Sequence, residues 1–249
     1  MQFEVAALAA PIIFVAYMVF GMTGFGAAIV AVPVLVQLMP LHFAVPLVVL
    51  FDLVCTSLVG GKNWRKVSRP ELVRMLPWLL LGVALGVTLL SQLPPKWPLI
   101  ALGVFVLLMC ARNLLSSDAA QRRPLSARWS LPSGTFGGVF SALFGTGGPI
   151  YTIYLSRRLP DVDQFRATIS VLILLSGITR AVAFSATGLY SEPTILQMAA
   201  VLLPVSLLGV FAGSRLRTRF SAPVIKRVIN LLLVVAGIGV LYRGLLLPS

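Results

Sequence analysis

The sequence predicts an all-α, polytopic membrane protein made of two inverted repeats, each a glycine-broken helical hairpin followed by three transmembrane helices. Three observations carry the prediction. Of 249 residues, 58% are hydrophobic and only 11% are charged, and several apolar stretches reach about 20 residues, the length a helix needs to cross a bilayer. The basic residues gather in a few connections instead of spreading along the chain. A glycine-rich break interrupts an apolar segment twice, at Gly21-Met22-Thr23-Gly24-Phe25-Gly26 and at Phe144-Gly145-Thr146-Gly147-Gly148-Pro149.

Each element follows from these observations in chain order. The opening Met1-Gln2-Phe3-Glu4 lacks the basic region of a secretory signal, so the first apolar segment is expected to be retained. Residues 3–39 read as a hairpin around the first break, and spans 41–61, 72–92 and 95–115 complete a first repeat over residues 1–116. Residues 117–130 form a basic cytoplasmic linker. The second repeat, 131–249, opens with a hairpin over 131–158 and continues with spans 167–187, 194–214 and 223–244. No segment has the length of an additional soluble domain. Helix interiors disfavour Gly and Pro, and an unpaired backbone group in hydrocarbon costs several kcal/mol, so the two breaks belong where protein or a water-filled cavity covers them. Breaks in corresponding places of two halves point to a transporter's binding site.

The placement of the charge sets the orientation. The net charge is +13. Lys62, Arg65, Lys66, Arg69 and Arg74 lie in one connection, Arg112, Arg122, Arg123 and Arg128 in a second, Arg157, Arg158 and Arg166 in a third, and Arg215, Arg217, Arg219, Lys226 and Arg227 in a fourth. Only Lys96, Arg180 and Arg243 lie elsewhere, and the connections near 92–96 and 187–193 are almost free of basic residues. The four basic connections are therefore expected to face the cytoplasm. Counting passes from them makes each hairpin begin and end on one side, puts the N- and C-termini outside, and enters the two halves from opposite sides. The charge is thus explained by topology and does not call for nucleic acid.

Small residues recur at matching places, Gly82-x-x-x-Gly86 in the first half and Gly209-x-x-x-Gly213 in the second, a spacing that lets helices approach closely. Gly24-Phe25-Gly26 with Pro33, and Gly134-x-x-Gly137-Gly138 leading to Gly145-Thr146-Gly147-Gly148-Pro149, resemble the paired glycine motifs of the sulfite exporter TauE/SafE family, also called the four-toluene-sulfonate uptake permease family. The resemblance covers nearly the whole chain and implies secondary transport of small sulfur-containing or organic anions, such as sulfite, sulfoacetate or sulfonates, across the bacterial inner membrane. The chain departs from the family pattern at Ala27-Ala28, where a pair of adjacent glycines is common.

The chemistry of the breaks suits an anion. A helix starting at a glycine offers free backbone N–H groups and the positive end of its dipole, about half a charge, and glycine lets a ligand approach the backbone. The substrate-binding candidates are Thr23, Gly24, Phe25 and Gly26, then Gly145, Thr146, Gly147 and Gly148, with Arg180 as the fixed positive charge. The alternative for the glycines is close packing of two short helices. Arg180 sits inside an apolar span, where a bare guanidinium is costly, so it faces a cavity, pairs with a partner or snorkels to the surface. Asp52, at comparable depth in the equivalent span of the first half, is a proton carrier or the ion-pair partner of Arg180. His42, the only histidine, reads as interfacial, and Cys55 and Cys110 as packing thiols without metal-ligand spacing. Tyr151 and Tyr154 follow the second break and either face the site or pack. Gln37 and Asn230 are polar residues in apolar surroundings that can bond a neighbouring helix.

An anion transporter accounts for the repeats, the breaks and Arg180. A passive anion channel is the alternative, because backbone-lined constrictions also select ions. An intramembrane enzyme lacks a nucleophile–base or metal constellation in a chain with one histidine and seven acids. The expected partners are the small anion, a coupled proton or sodium ion and the membrane lipid, with no metal and no cofactor.

Overall fold

A computed structural model of the chain describes residues 2–24, 26–60, 64–115, 125–216 and 222–247. It is helical throughout, and the described residues contain no strand. Ten α-helices follow in order: α1 (Gln2–Thr23), α2 (Ala27–Leu35), α3 (Leu41–Gly60), α4 (Arg69–Gln92), α5 (Lys96–Leu115), α6 (Ser130–Phe144), α7 (Gly148–Arg158), α8 (Val162–Ala186), α9 (Pro193–Leu216) and α10 (Ala222–Leu246). Five of them, α1, α3, α4, α8 and α9, contain windows long and apolar enough to cross a membrane. Their outward faces carry large exposed apolar side chains such as Leu8, Leu58, Val73, Leu85, Val182 and Leu208, as expected where lipid replaces water. The class is thus an all-α polytopic membrane protein.

Both glycine breaks join helices that pack on each other, α1 with α2 and α6 with α7. At 1.5 Å rise per residue, α2 and α7 are only about 14 and 17 Å long, near half of the roughly 30 Å hydrocarbon core. The breaks are sharp because their glycines adopt left-handed backbone: Gly26 has φ +92° and caps the start of α2, and Gly145 has φ +72° and ends α6, a region any side chain would strain.

The packing exchanges between halves. The first arm of each hairpin lies on the second span of the other half, α1 on α9 and α6 on α4. Likewise α4 contacts α8 as α9 contacts α3, while α3 packs on α8 and α5 on α10. The small-residue pairs are the seams of these contacts. A Cβ on Gly209 would stand 2.6 Å from the Phe14 carbonyl oxygen, and one on Gly86 2.7 Å from the Ala142 Cβ. Gly138 answers Gly82 across the α4–α6 seam, where its own Cβ would meet the Leu79 carbonyl at 2.6 Å. No side chain fits there, so backbones touch.

Three basic connections meet at one end of the bundle. Lys66 bonds Asp163, the Ser68 amide donates to Thr168 Oγ1 at 2.9 Å, and Arg158 donates to the Leu125 carbonyl at 3.2 Å. The basic residues Lys62, Arg122, Arg123, Arg217 and Arg219 lie outside the described residues, as does most of the 117–130 linker. At the opposite end Tyr190 donates to the Pro46 carbonyl. Two helices begin several residues earlier than the sequence reading, α4 at Arg69 instead of 72 and α8 at Val162 instead of 167. The span expected at 167 begins at Val162, because the Asp161 side chain accepts from the Asp163 amide and caps the helix five residues earlier.

Candidate functional site

A cavity of about 30 Å³ lies where the two breaks meet, room for one or two water molecules. Gly26, Ala27, Ala28 and Ile29, the start of α2, form one wall. Gly145, Thr146, Gly148 and Pro149, the second break and the start of α7, form the facing wall. The breaks touch, since a Cβ on Gly145 would come within 2.6 Å of the Ala28 Cβ. Two helix N-termini therefore converge on one space; the first amides of α2 have no intrahelical acceptor, whereas at α7 Pro149 has no N–H and the Ile150 amide donates to the Gly147 carbonyl at 3.1 Å, which leaves the Gly148 amide as the first donor.

Arg180 closes the cavity from α8. It is 2% exposed, one of the largest fully buried side chains, and snorkelling is ruled out for it. Its Nη1 donates to the Ser141 carbonyl at 3.2 Å and its Nε to the Ser176 carbonyl at 3.4 Å. Its Nη2 stands 3.7 Å from Asp52 Oδ2, an ion pair beyond hydrogen-bond length. Asp52, on α3, also lines the cavity, and its Oδ1 accepts from the Tyr17 hydroxyl at 2.8 Å. A guanidinium has five N–H donors and no acceptor, so this one keeps donors for a further oxygen ligand.

Polar groups without partners point to the same space. Thr56 Oγ1, Thr146 Oγ1 and the Tyr151 hydroxyl are buried with no hydrogen-bond partner, and all three residues line the cavity. Ser141 and Ser176 Oγ, beside Tyr151, bond each other at 2.7 Å. An unsatisfied buried hydroxyl costs about 1–3 kcal/mol. A cluster of three at one cavity is a set of oxygen-ligand sites that a bound species would satisfy.

Of the residues named from the sequence, Gly26, Gly145, Thr146, Gly148, Arg180 and Asp52 are brought together here. Thr23 and Gly24 are exposed, with the Thr23 hydroxyl donating to the Val19 carbonyl, and neither lines the cavity. Phe25 lies outside the described residues. Gly147 is buried between other groups, where a Cβ would stand 2.5 Å from the Gly137 carbonyl. Tyr151 resolves toward the cavity, whereas the Tyr154 hydroxyl bonds Glu71 at 2.6 Å. His42 and Gln37 are exposed, Asn230 is buried, and Cys55 and Cys110 are buried free thiols. No group of three or more His, Cys, Asp or Glu able to hold a metal occurs among the described residues. Tyr17, Thr56, Ser141 and Ser176 were not anticipated. A signal existed for two of them: Thr56 stands one helical turn beyond Asp52, and Ser176 one turn before Arg180, on the same helix faces.

Known proteins resemble the chain over most of its length. The chain is 32% identical over 194 residues to a Comamonas testosteroni protein named "Probable inner membrane transporter protein TsaS", covering 77% of this chain and 80% of the relative. It is 27% identical over 242 residues to "Probable sulfite/organosulfonate exporter TauE" of Cupriavidus necator, covering 91% of this chain and 88% of that relative. No solved structure matches the chain. The family described as sulfite exporter TauE/SafE matches residues 9–240, and this chain belongs to that family.

Proposed function

We propose that the protein is a secondary transporter of a small sulfur-containing or organic anion of the sulfite, sulfonate or sulfoacetate class, working by alternating access at the cavity between the two broken hairpins. A membrane transporter of anions, not an enzyme, is what family membership and the relatives support. The observation that carries the site is the buried Arg180 beside three unpartnered hydroxyls and two helix N-termini. That set offers N–H and O–H donors and positive potential toward the cavity, with Asp52 as the one carboxylate among the lining residues, and a sulfur oxyanion offers several acceptor oxygens and negative charge.

The cavity as it stands holds no more than one or two waters. Loading a sulfonate therefore requires α2 and α7 to part, a motion that opens the site. The exchange of packing partners between halves supports inverted repeats, and the meeting of three basic connections at one end supports a cytoplasmic face there, with both termini outside the bacterial inner membrane. A transported cation, proton or sodium, is part of the same reading.

The experiment is a thermal-shift titration of the purified protein with sulfite, sulfoacetate and benzenesulfonate, with chloride as control. A ligand at one hundred times its dissociation constant adds about 2.7 kcal/mol of stability. A rise in melting temperature for a sulfur oxyanion, absent in Arg180→Gln, is the expected result. No shift with any of them, together with no uptake in proteoliposomes, removes the anion reading.

A further inference from the structure

We infer that Asp52 carries the coupling proton, loading it as the anion takes Arg180, and that Tyr17 is the hydroxyl rotor that satisfies Asp52 in both protonation states. This rests on the anion-transport reading and extends it to the ion that drives it.

Charge balance is the first part of the argument. One guanidinium and one carboxylate face each other at 3.7 Å, so the pair is neutral in sum but its members are not hydrogen-bonded to each other. A monoanion entering between the α2 and α7 N-termini sets two negative charges against one positive charge. An uncompensated charge in such surroundings is strongly disfavoured. A proton from water added to the Asp52 carboxylate restores neutrality: an O–H bond forms at Asp52, and Arg180 turns its free donors to the anion. Release of the anion leaves Arg180 without a counter-charge, so the Asp52 O–H bond breaks and the proton passes to water on the side to which the anion has left.

The second part is geometric. The Tyr17 hydroxyl stands 2.8 Å from Asp52 Oδ1 and 3.2 Å from the Val48 carbonyl oxygen. One hydroxyl proton thus faces two acceptors. With Asp52 ionised, Tyr17 donates to the carboxylate. With Asp52 protonated, the acid donates to Tyr17 Oη, and Tyr17 swings its own proton to Val48. In both states Asp52 Oδ1 and the Tyr17 hydroxyl keep each other as hydrogen-bond partners. Only a hydrogen moves, because the ring is fixed against Phe20 and Phe51 at centroid distances of 6.1 and 5.9 Å.

Among the described residues the surroundings contain no second carboxylate at the cavity. The titratable or charged groups near Asp52 are Tyr17 from α1, Arg180 from α8, the Arg180-facing Tyr151 from α7 and, on α3 itself, Cys55, whose thiol lies 3.8 Å from Ser206 Oγ of α9. Among these, Asp52 alone is a carboxylate bordering the cavity.

The test uses full-length protein in proteoliposomes with a pH-sensitive dye inside, potassium and valinomycin to clamp voltage, and benzenesulfonate as the probe. A sulfonate is a strong-acid anion at any working pH, so it cannot bring its own proton. The expected result for the parent is luminal acidification with one proton per anion and a flux insensitive to the clamped voltage. In Asp52→Asn the residual flux carries no proton and becomes voltage-dependent. Tyr17→Phe keeps the ring and the carboxylate, so net uptake slows at least tenfold while the proton-to-anion ratio stays at one. Benzenesulfonate entry without acidification in the parent, or an unchanged ratio in Asp52→Asn, overturns the coupling. Unchanged uptake in Tyr17→Phe overturns the rotor. No flux of benzenesulfonate or sulfite in the parent instead overturns the transport reading beneath it.

Discussion

The two broken hairpins differ in how they are held. In the first, eight of the nine residues of α2 are buried, all of them apolar or proline, and the helix packs on α1, α3 and α10. In the second, α7 buries only Tyr151, Tyr154 and Leu155, packs on α6 and α8, and has no comparable contact with α5 among the described residues. The first hairpin gives the cavity mostly backbone, and the second gives it hydroxyls. What α7 lacks in apolar contact is replaced by a polar clasp. Tyr154 and Arg158 both reach Glu71 of α4, at 2.6 Å each, and Arg74 joins at 3.0 Å.

That clasp repeats the chemistry of the cavity with different spacing. Each cluster combines a tyrosine hydroxyl, a buried carboxylate and an arginine, but Glu71 is saturated by close donors while Asp52 stands 3.7 Å from its arginine. A saturated cluster has nothing to offer a ligand and fixes a helix. An open one keeps donors in reserve. The distinction lies in distance, not in residue type.

The largest expected effect comes from breaking the open cluster. Arg180→Gln abolishes anion flux and leaves Asp52 without its counter-charge, held by Tyr17 alone, so the melting temperature falls. Adding Asp52→Asn recovers the melting temperature without recovering flux. Flux in the single variant at the parental rate would remove Arg180 from the site.

Breaking the saturated cluster should act on stability alone. Glu71→Gln weakens charge-assisted bonds to Arg158, Arg74 and Tyr154, each worth about 1.5–3 kcal/mol, and frees the end of α7. The melting temperature falls, while flux per folded molecule remains within twofold. A variant that melts normally but fails to transport would make the clasp a part of the mechanism instead.

The glycines of the second break separate the two roles at smaller cost. At Gly147 an added Cβ meets the Gly137 carbonyl at 2.5 Å, so Gly147→Ala overpacks the break by about 1–3 kcal/mol. At Gly148 the nearest atom is Ile173 Cδ1 at 3.7 Å, so Gly148→Ala folds normally and narrows the cavity. Melting curves and uptake rates on the pair should therefore diverge, the first variant losing stability and the second losing severalfold in rate. Parallel behaviour of both would reduce the break to packing.

The smallest effect is expected at the surface. Lys66 and Asp163 form an ion pair with both side chains half exposed, which solvent and salt screen. Lys66→Gln should leave melting and flux unchanged, and a clear loss of stability would show that the end where the basic connections meet is held more tightly than its exposure implies.

Much of this was legible in the sequence. Apolar length determined the class, because hydrocarbon admits few other backbones than helices. The glycine breaks determined where helices stop, because Gly26 and Gly145 need a left-handed backbone. Arg180 and Asp52, deep within apolar spans, marked charges that a cavity, a partner or the surface had to accommodate. The faces of the helices could not be read that way. In a membrane both lipid-facing and core-facing positions are apolar, as Leu85 and Val83 on α4 illustrate, so periodicity does not tell which residues turn inward. Only the tertiary packing, with α3 on α8 and α7 on α6 and α8, brought Tyr17, Thr56, Ser141, Tyr151 and Ser176 from five helices to one place. The distances that separate a saturated carboxylate from an open one are likewise set by how those helices seat against each other, since a hydroxyl's partner across 35 residues of chain leaves no mark on the local sequence.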